Sequence, residues 1–173
     1  MARLFALDHN FPEPIVEVLS EVSEGGDADL VSVSDIDPRM ADLEDGEIML
    51  ALHHHERAWD GLITTDSSML NQPPELAALL QTNLTLIVAM GAGDDPIKAT
   101  GLLFAYLGGI CTRTDPGTAQ VWKLAAANRP AHKPWDELKR AADHQQRDVG
   151  DLWRENRLSK EEFAVDPLGD EGD

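Results

Sequence analysis

Three aspartates stand where a hydrolytic site would need them. Arg3-Leu4-Phe5-Ala6-Leu7 is a short apolar run that stops at Asp8, and Leu62-Ile63-Thr64-Thr65 stops at Asp66. Each run reads as a buried strand with an acid at its C-terminal end. Asp45 belongs to the acid-rich stretch Asp42-Leu43-Glu44-Asp45-Gly46-Glu47, just ahead of Ile48-Met49-Leu50-Ala51-Leu52. Acids there suit the first turn of a helix, where the dipole is positive. In an open parallel sheet, ligands bind beyond the carboxyl ends of the strands. Both strand-end acids and that helix N-terminus would share this rim. Clustered carboxylates repel one another unless a cation compensates them. Oxygen donors with no Cys/His set favour Mg²⁺ or Mn²⁺, which keep several waters and can activate one against a phosphate. The chemistry open to such a set is phosphodiester cleavage. Each acid also has a plainer reading. A strand-ending Asp is a common turn former and helix cap, and Asp45 could serve only the helix dipole.

The elements that must position these acids can be read along the chain. After Asp8, Asn10-Phe11-Pro12 leads into a helix with Ile15, Val16, Val18, Leu19 and Val22 on one face, closed by Gly25-Gly26. Residues 28–34 alternate as a second strand, and Asp35 to Pro38 form a loop. The helix that Asp45 opens is expected to reach about Trp59. Pro73-Pro74 precedes a helix over 75–80, and Leu84 to Met90 is a near-continuously apolar strand suited to a doubly covered position. Pro96 opens a helix to about Leu107. Alternating strands and helices argue for an α/β fold: a three-layer α/β/α sandwich on a mostly parallel sheet, with a helical C-terminal extension. Residues 120–124 fit either a strand or a helical turn, residues 134–147 a helix, and residues 151–157 a last turn or two. The division expected is an α/β domain over 1–111, an extension packed on it over 112–158, and a flexible acidic tail over 159–173.

Charge sharpens the functional choice. The 173 residues carry 32 acidic and 14 basic side chains, a formal charge of −18. That sign excludes a generic basic nucleic-acid coat, and a single cysteine, Cys111, excludes a disulfide scaffold. Residues 1–96 hold 19 acids against Arg3, Arg39 and Arg57, whereas residues 97–157 hold ten bases and seven acids. The basic stretch interleaves Trp122, Lys123, Arg129, His132, Lys133, Trp135, Lys139 and Arg140. Such a pattern can stack and neutralise single-stranded RNA, although tryptophans more often anchor a core. With no apolar leader before Asp8 and no long apolar span, a cytoplasmic location is expected.

The segment Leu7-Asp8-His9-Asn10-Phe11-Pro12 resembles the Asp-Glu-Asn-Leu-Pro opening of the PIN-like proteins. Asp45-Gly46-Glu47-Ile48 resembles their acid-x-x-Ile helix start, and Thr64-Thr65-Asp66-Ser67-Ser68-Met69 their Thr-x-Asp-x-Asp-Phe strand end. The resemblance spans roughly residues 1–95. It implies a PIN-like fold and a ribonuclease dependent on Mg or Mn, often the toxin of a bacterial toxin–antitoxin pair. Asp8, Asp45 and Asp66 would then be the catalytic and metal-binding acids. Asn10, Thr65 and Ser68 are candidate substrate contacts, although the Asn10 amide could instead donate to Asp8 or make a local turn bond. RNA, an antitoxin protein and a second copy of the chain are the partners implied. Two positions depart from the pattern: His9 replaces Glu, and Ser68 replaces the second Asp. Asp42, Glu44, Glu47 and Asp95 are candidate substitutes for the missing acid.

The departures keep a second reading open, a decayed site that acts as a protein- or RNA-binding module. A receiver-like signalling domain would want an acid pair at the first strand, and Asp8-His9 lacks one. His53-His54-His55 points in three directions on a helix and makes no chelating set. Gly91-Ala92-Gly93 lacks the lysine and hydroxyl of a phosphate loop.

Overall fold

Leu4 and Ala6 point to one side of the first strand, Phe5 and Leu7 to the other, and all four are buried. A strand apolar on both faces must lie inside a sheet covered on both sides. The computed structural model, which describes residues 2–11, 15–19, 27–93, 95–125 and 131–169, has that arrangement. Five strands, β1 (Arg3–Leu7), β2 (Ala28–Ser32), β3 (Gly61–Thr64), β4 (Thr85–Ala89) and β5 (Gln120–Leu124), form one sheet in the order β2-β1-β3-β4-β5. Every pairing is parallel, in register Leu7↔Ser32, Leu7↔Ile63, Thr64↔Val88 and Ala89↔Leu124 at the carboxyl ends. That common direction gathers the strand-end acids on one rim.

Helices cover both faces. Leu4, Ala6, Leu62, Leu86 and Val88 pack with Ile48, Met49 and Leu52 of α1 (Asp45–His54) and Ala78 and Leu79 of α2 (Pro73–Thr82). Phe5, Leu7, Ile63 and Ile87 pack on the opposite face with Val16 and Leu19, within the helical residues 15–19, and with Leu102 and Leu103 of α3 (Pro96–Arg113). Each fully buried Leu, Ile or Phe contributes about 1.5–3 kcal/mol relative to exposure. The alternating strand side chains decide which helix layer each strand residue serves.

Several boundaries differ from the sequence expectation. Val33–Ile36 forms a short helix rather than the end of β2, because the Ser32 hydroxyl caps the Ser34 amide. α1 ends at His54, well short of Trp59, which turns back into the core. α3 runs on to Arg113. In the amphipathic helix expected after Pro12, Val18 is exposed, and Val22 and Gly25-Gly26 lie outside the described residues.

The chain beyond α3 joins the same body. β5 adds the fifth strand, and its other edge carries an antiparallel bridge, Val121 to His132. α4 (Pro134–His144) and α5 (Val149–Asn156) then pack on α2 through Leu76, Leu138, Ala141, Ala142 and Leu152. Past Leu158, a short helix over Lys160–Phe163 is capped by Ser159, and His54 Nε2 lies 2.9 Å from the Phe163 carbonyl oxygen. Among the described residues, no helix is long and apolar enough to cross a membrane.

Candidate metal and nuclease site

β1 delivers Asp8 to the rim, where its side chain is fully buried. Four donors surround its carboxylate. The His9 amide donates to Oδ1 at 2.7 Å, and His9 Nδ1 lies 2.7 Å from the same oxygen. Oδ2 accepts from the Asn10 side-chain amide at 2.7 Å and from the Thr64 hydroxyl at 2.9 Å. A carboxylate has about four lone-pair positions, so those of Asp8 are taken by the protein itself. Thr64 reaches Asp8 because β3 lies beside β1, and the same hydroxyl accepts the Asp66 amide at 3.0 Å. One side chain therefore ties two of the acids together. Sequence reading missed Thr64 and named Thr65 instead, which is also buried.

Asp66 leaves β3 and is pinned by Ser68. The Ser68 amide donates to Oδ1 at 2.7 Å and its hydroxyl to Oδ2 at 2.9 Å. Ser68 thus orients the acid next to it. Asp45 opens α1 across a cavity of about 350 Å³. Asp42, Glu44, Asp45 and Asp66 line that cavity with His9 and Asn10, and Gln72 closes it. Of the four candidate substitutes for the missing acid, Asp42 and Glu44 face this space. Glu47 accepts the Glu44 amide as a helix cap, and Asp95 caps α3 through the Lys98 amide. The acid that no sequence pattern singled out is Glu75. It is only 9% exposed, and its Oε2 has no hydrogen-bond partner.

Burial and neighbouring carboxylates raise the proton affinity of two acids here. Burial first, then the charges of Asp8 and Asp66, pushes Asp45 up to about 6. Burial, followed by the charges of Asp45 and Glu44, pushes Glu75 up to about 7, against the pull of the Gly46 amide. Asp8, Asp45 and Asp66 therefore share one electrostatic neighbourhood. Among the described residues, no three His, Cys, Asp or Glu side chains are drawn closely enough together to form a ready-made cage for an ion.

A carboxyl that binds its proton more tightly when folded makes the fold lose stability as pH rises from the ordinary carboxylate pKa to the folded one. For Asp45 and Glu75 that window runs from about 4 to about 7. His53, whose burial lowers its pKa, acts in the opposite sense below its ordinary value. Thermal unfolding in a chelating buffer should show wild type losing more stability between pH 5 and 7.5 than Asp45→Asn. The difference should be on the order of 1 kcal/mol, after discounting for the solvent screening of half-exposed Asp45. Identical pH slopes would show that Asp45 is not under this strain.

The basic stretch is largely occupied. Trp122 is buried, with the Arg113 guanidinium 5.1 Å above its ring. Lys123, His132 and Arg140 surround Glu137. Trp135 is 39% exposed and meets Trp153 edge-on. Lys133 and Lys139 are exposed, and Arg129 lies outside the described residues. Burial pushes the Cys111 thiol up to about 11, which suits a packing role.

The family model of the PIN-like domain matches residues 4–91, half of the chain. The chain belongs to the PIN-like domain family. Comparison with curated proteins and with solved structures finds no match. The PIN-like match spans β1 to β4 and takes in Asp8, Asp45 and Asp66, whereas β5, α4 and α5 lie beyond it.

Proposed function

We propose that this PIN-like protein is a cytoplasmic ribonuclease dependent on Mg²⁺ or Mn²⁺, of the kind that serves as the toxin in a toxin–antitoxin pair. One observation carries the reading. The charges of Asp8 and Asp66 raise the cost of ionising Asp45, which with Asp66 lines an acid-rich cavity at the carboxyl rim. The donor set suits a hard cation, since the cavity offers the carboxylate oxygens of Asp42, Glu44, Asp45 and Asp66. Asp45 and Asp66 would hold the cation, and Asp8 would join them on giving up one of its present donors. Mg²⁺ usually keeps part of its water shell, so it needs fewer direct carboxylate ligands than a closed cage would supply. When bound, the ion would lower the pKa of a water and balance the charge added at the scissile phosphate.

The chain's own residues define the rest. Ser68 fixes both oxygens of Asp66, and Thr64 sets the distance between the Asp8 and Asp66 turns. His9 and Asn10 line the cavity beside the acids, where an RNA phosphate would enter. Purified wild type should bind Mn²⁺ by calorimetry and cut single-stranded RNA only when Mn²⁺ is present. Asp66→Asn should reduce both by more than about 100-fold, beyond the loss typical of a group that only supports a ligand. If wild type binds neither Mn²⁺ nor RNA, the site has decayed and the protein acts through other contacts. If Asp66→Asn cuts as wild type does, these acids are not the site.

A further inference from the structure

The edge of the sheet opposite the acids borders a second cavity, of about 750 Å³, within the size range of small-molecule sites. Arg3 and Leu4 of β1, Asp29 of β2 and residues 57–60 ahead of β3 line it, so it sits where the strands begin. Two of its charged groups are already engaged. The Arg3 guanidinium lies 2.6 Å from Asp60 Oδ1 and donates to the Thr114 carbonyl at 2.6 Å, and Asp60 Oδ2 accepts the Leu4 amide at 2.8 Å. Three polar groups are left over. Trp59 is 7% exposed, and its indole N–H has no hydrogen-bond acceptor. A buried donor without a partner is rare in a native fold and calls for a reason. Asp29 is half-buried beside its register partner Leu4, and among the described residues no donor or cation meets its carboxylate. The Arg57 guanidinium rests 5.6 Å from the centre of the Trp59 ring and, among the described residues, pairs with no acid.

We propose that this cavity binds a free guanine mononucleotide, with Asp29 and Trp59 on the base and Arg57 on the phosphate. A carboxylate and an N–H donor in one cavity match one base edge above the others. Guanine offers two adjacent donors, at N1 and N2, beside the O6 acceptor. Adenine and cytosine set an amino group beside a bare ring nitrogen, which a carboxylate repels, and uracil has one N–H between two carbonyls. A guanidinium fork suits a phosphate, and Leu4, Ala58 and Pro116 supply an apolar wall for the base. Residues 1–96 carry 19 acids against three arginines, which disfavours a long polyanion and favours a ligand with one phosphate. The site stands apart from the cation reading above, since the two cavities share no lining residue.

Calorimetry on the whole protein in a chelating buffer tests this with the 5′-monophosphates of guanosine, adenosine, cytidine and uridine. Guanosine monophosphate should bind at least about 10-fold tighter than the other three, the discrimination expected of one bidentate base contact. Asp29→Asn should keep the thermal midpoint and remove that preference, because an amide sets a donor where guanine also presents one. Arg57→Ala should weaken all four alike. Binding of none of the four at millimolar concentration, or equal binding of all four, would overturn the proposal. So would an Asp29→Asn protein that still prefers guanosine monophosphate. A short RNA ending in guanosine that displaces the mononucleotide at equal concentration would make RNA the ligand and overturn the free nucleotide. Should the variants not fold, nitrogen-15 NMR of the wild-type protein decides the matter. The Trp59 indole N–H resonance should shift on addition of guanosine monophosphate, and a resonance that stays fixed would overturn the proposal.

Discussion

Gly61→Ala is expected to abolish folding, although it adds a single methyl group. A Cβ at Gly61 would lie 1.9 Å from the Thr85 carbonyl oxygen and 2.8 Å from its carbonyl carbon. Both atoms belong to backbone, so no side chain can swing aside. The two residues are register partners in the β3–β4 pairing, and the Thr85 amide bonds the Asp60 carbonyl at 2.9 Å. Relieving the contact would require parting two central strands whose side chains are buried on both faces. A cost above about 4 kcal/mol is therefore expected, large against the total stability of most domains. Soluble yield and urea unfolding measure it. A folded Gly61→Ala protein with the wild-type midpoint would show that the strands are less closely set here. The position matters to the site because β3 carries Thr64 and leads directly into Asp66.

The second large effect is expected far from the acids, at Glu137. Its side chain is 3% exposed and lies 2.8 Å from Lys123 Nζ, 2.7 Å from the Arg140 guanidinium and 3.2 Å from His132 Nδ1. Lys123 belongs to β5, and Glu137 and Arg140 to α4. Glu137→Ala would strand the Lys123 ammonium, whose side chain is 18% exposed, without its counter-ion. Removing one partner of such a buried pair costs about 3–5 kcal/mol, because the remaining charge stays desolvated. Arg140 is largely exposed and recovers water easily, which places the expected loss near the lower end. Replacing Lys123 and Glu137 together by methionine should return most of it, since an apolar pair of similar volume need not be less stable. Urea denaturation of the single and double variants gives both values. A loss below about 1 kcal/mol for Glu137→Ala would mean that the ion cluster contributes little to holding α4.

Much of the fold was legible because its strands announce themselves. Apolar runs ending in Asp8 and Asp66, with amphipathic segments between them, fixed the element order and the shared rim. β5 was ambiguous because Gln120-Val121-Trp122-Lys123-Leu124 mixes polar and apolar residues, as befits a strand at the margin of the sheet. The short helix at Val33 escaped notice because a fully buried valine continues the strand pattern, and a local serine cap overrides it. The site divides along the same line. Asp8, Asp45 and Asp66 could be named from their places at element ends. Thr64 could not, since its bond to Asp8 depends on β1 and β3 being neighbours, a matter of strand order. Glu75 was less visible still. In sequence it is an ordinary first-turn acid after two prolines, and only the packing of α2 against α1 turns it inward.

The seam between β4 and β5 divides the part that the family model matches from the strand that completes the sheet. The family match stops at residue 91, two residues past β4, whose five residues are all buried. The second neighbour of that strand arrives only with Gln120–Leu124. A fragment cut at residue 91 would present a five-residue buried strand with one row of amides and carbonyls unpaired, the kind of margin that recruits other chains. It would also bare Leu76, which α4 and α5 now cover. In the whole chain β5 and the two helices keep that margin shut, so the chain beyond the match guards this protein against self-association.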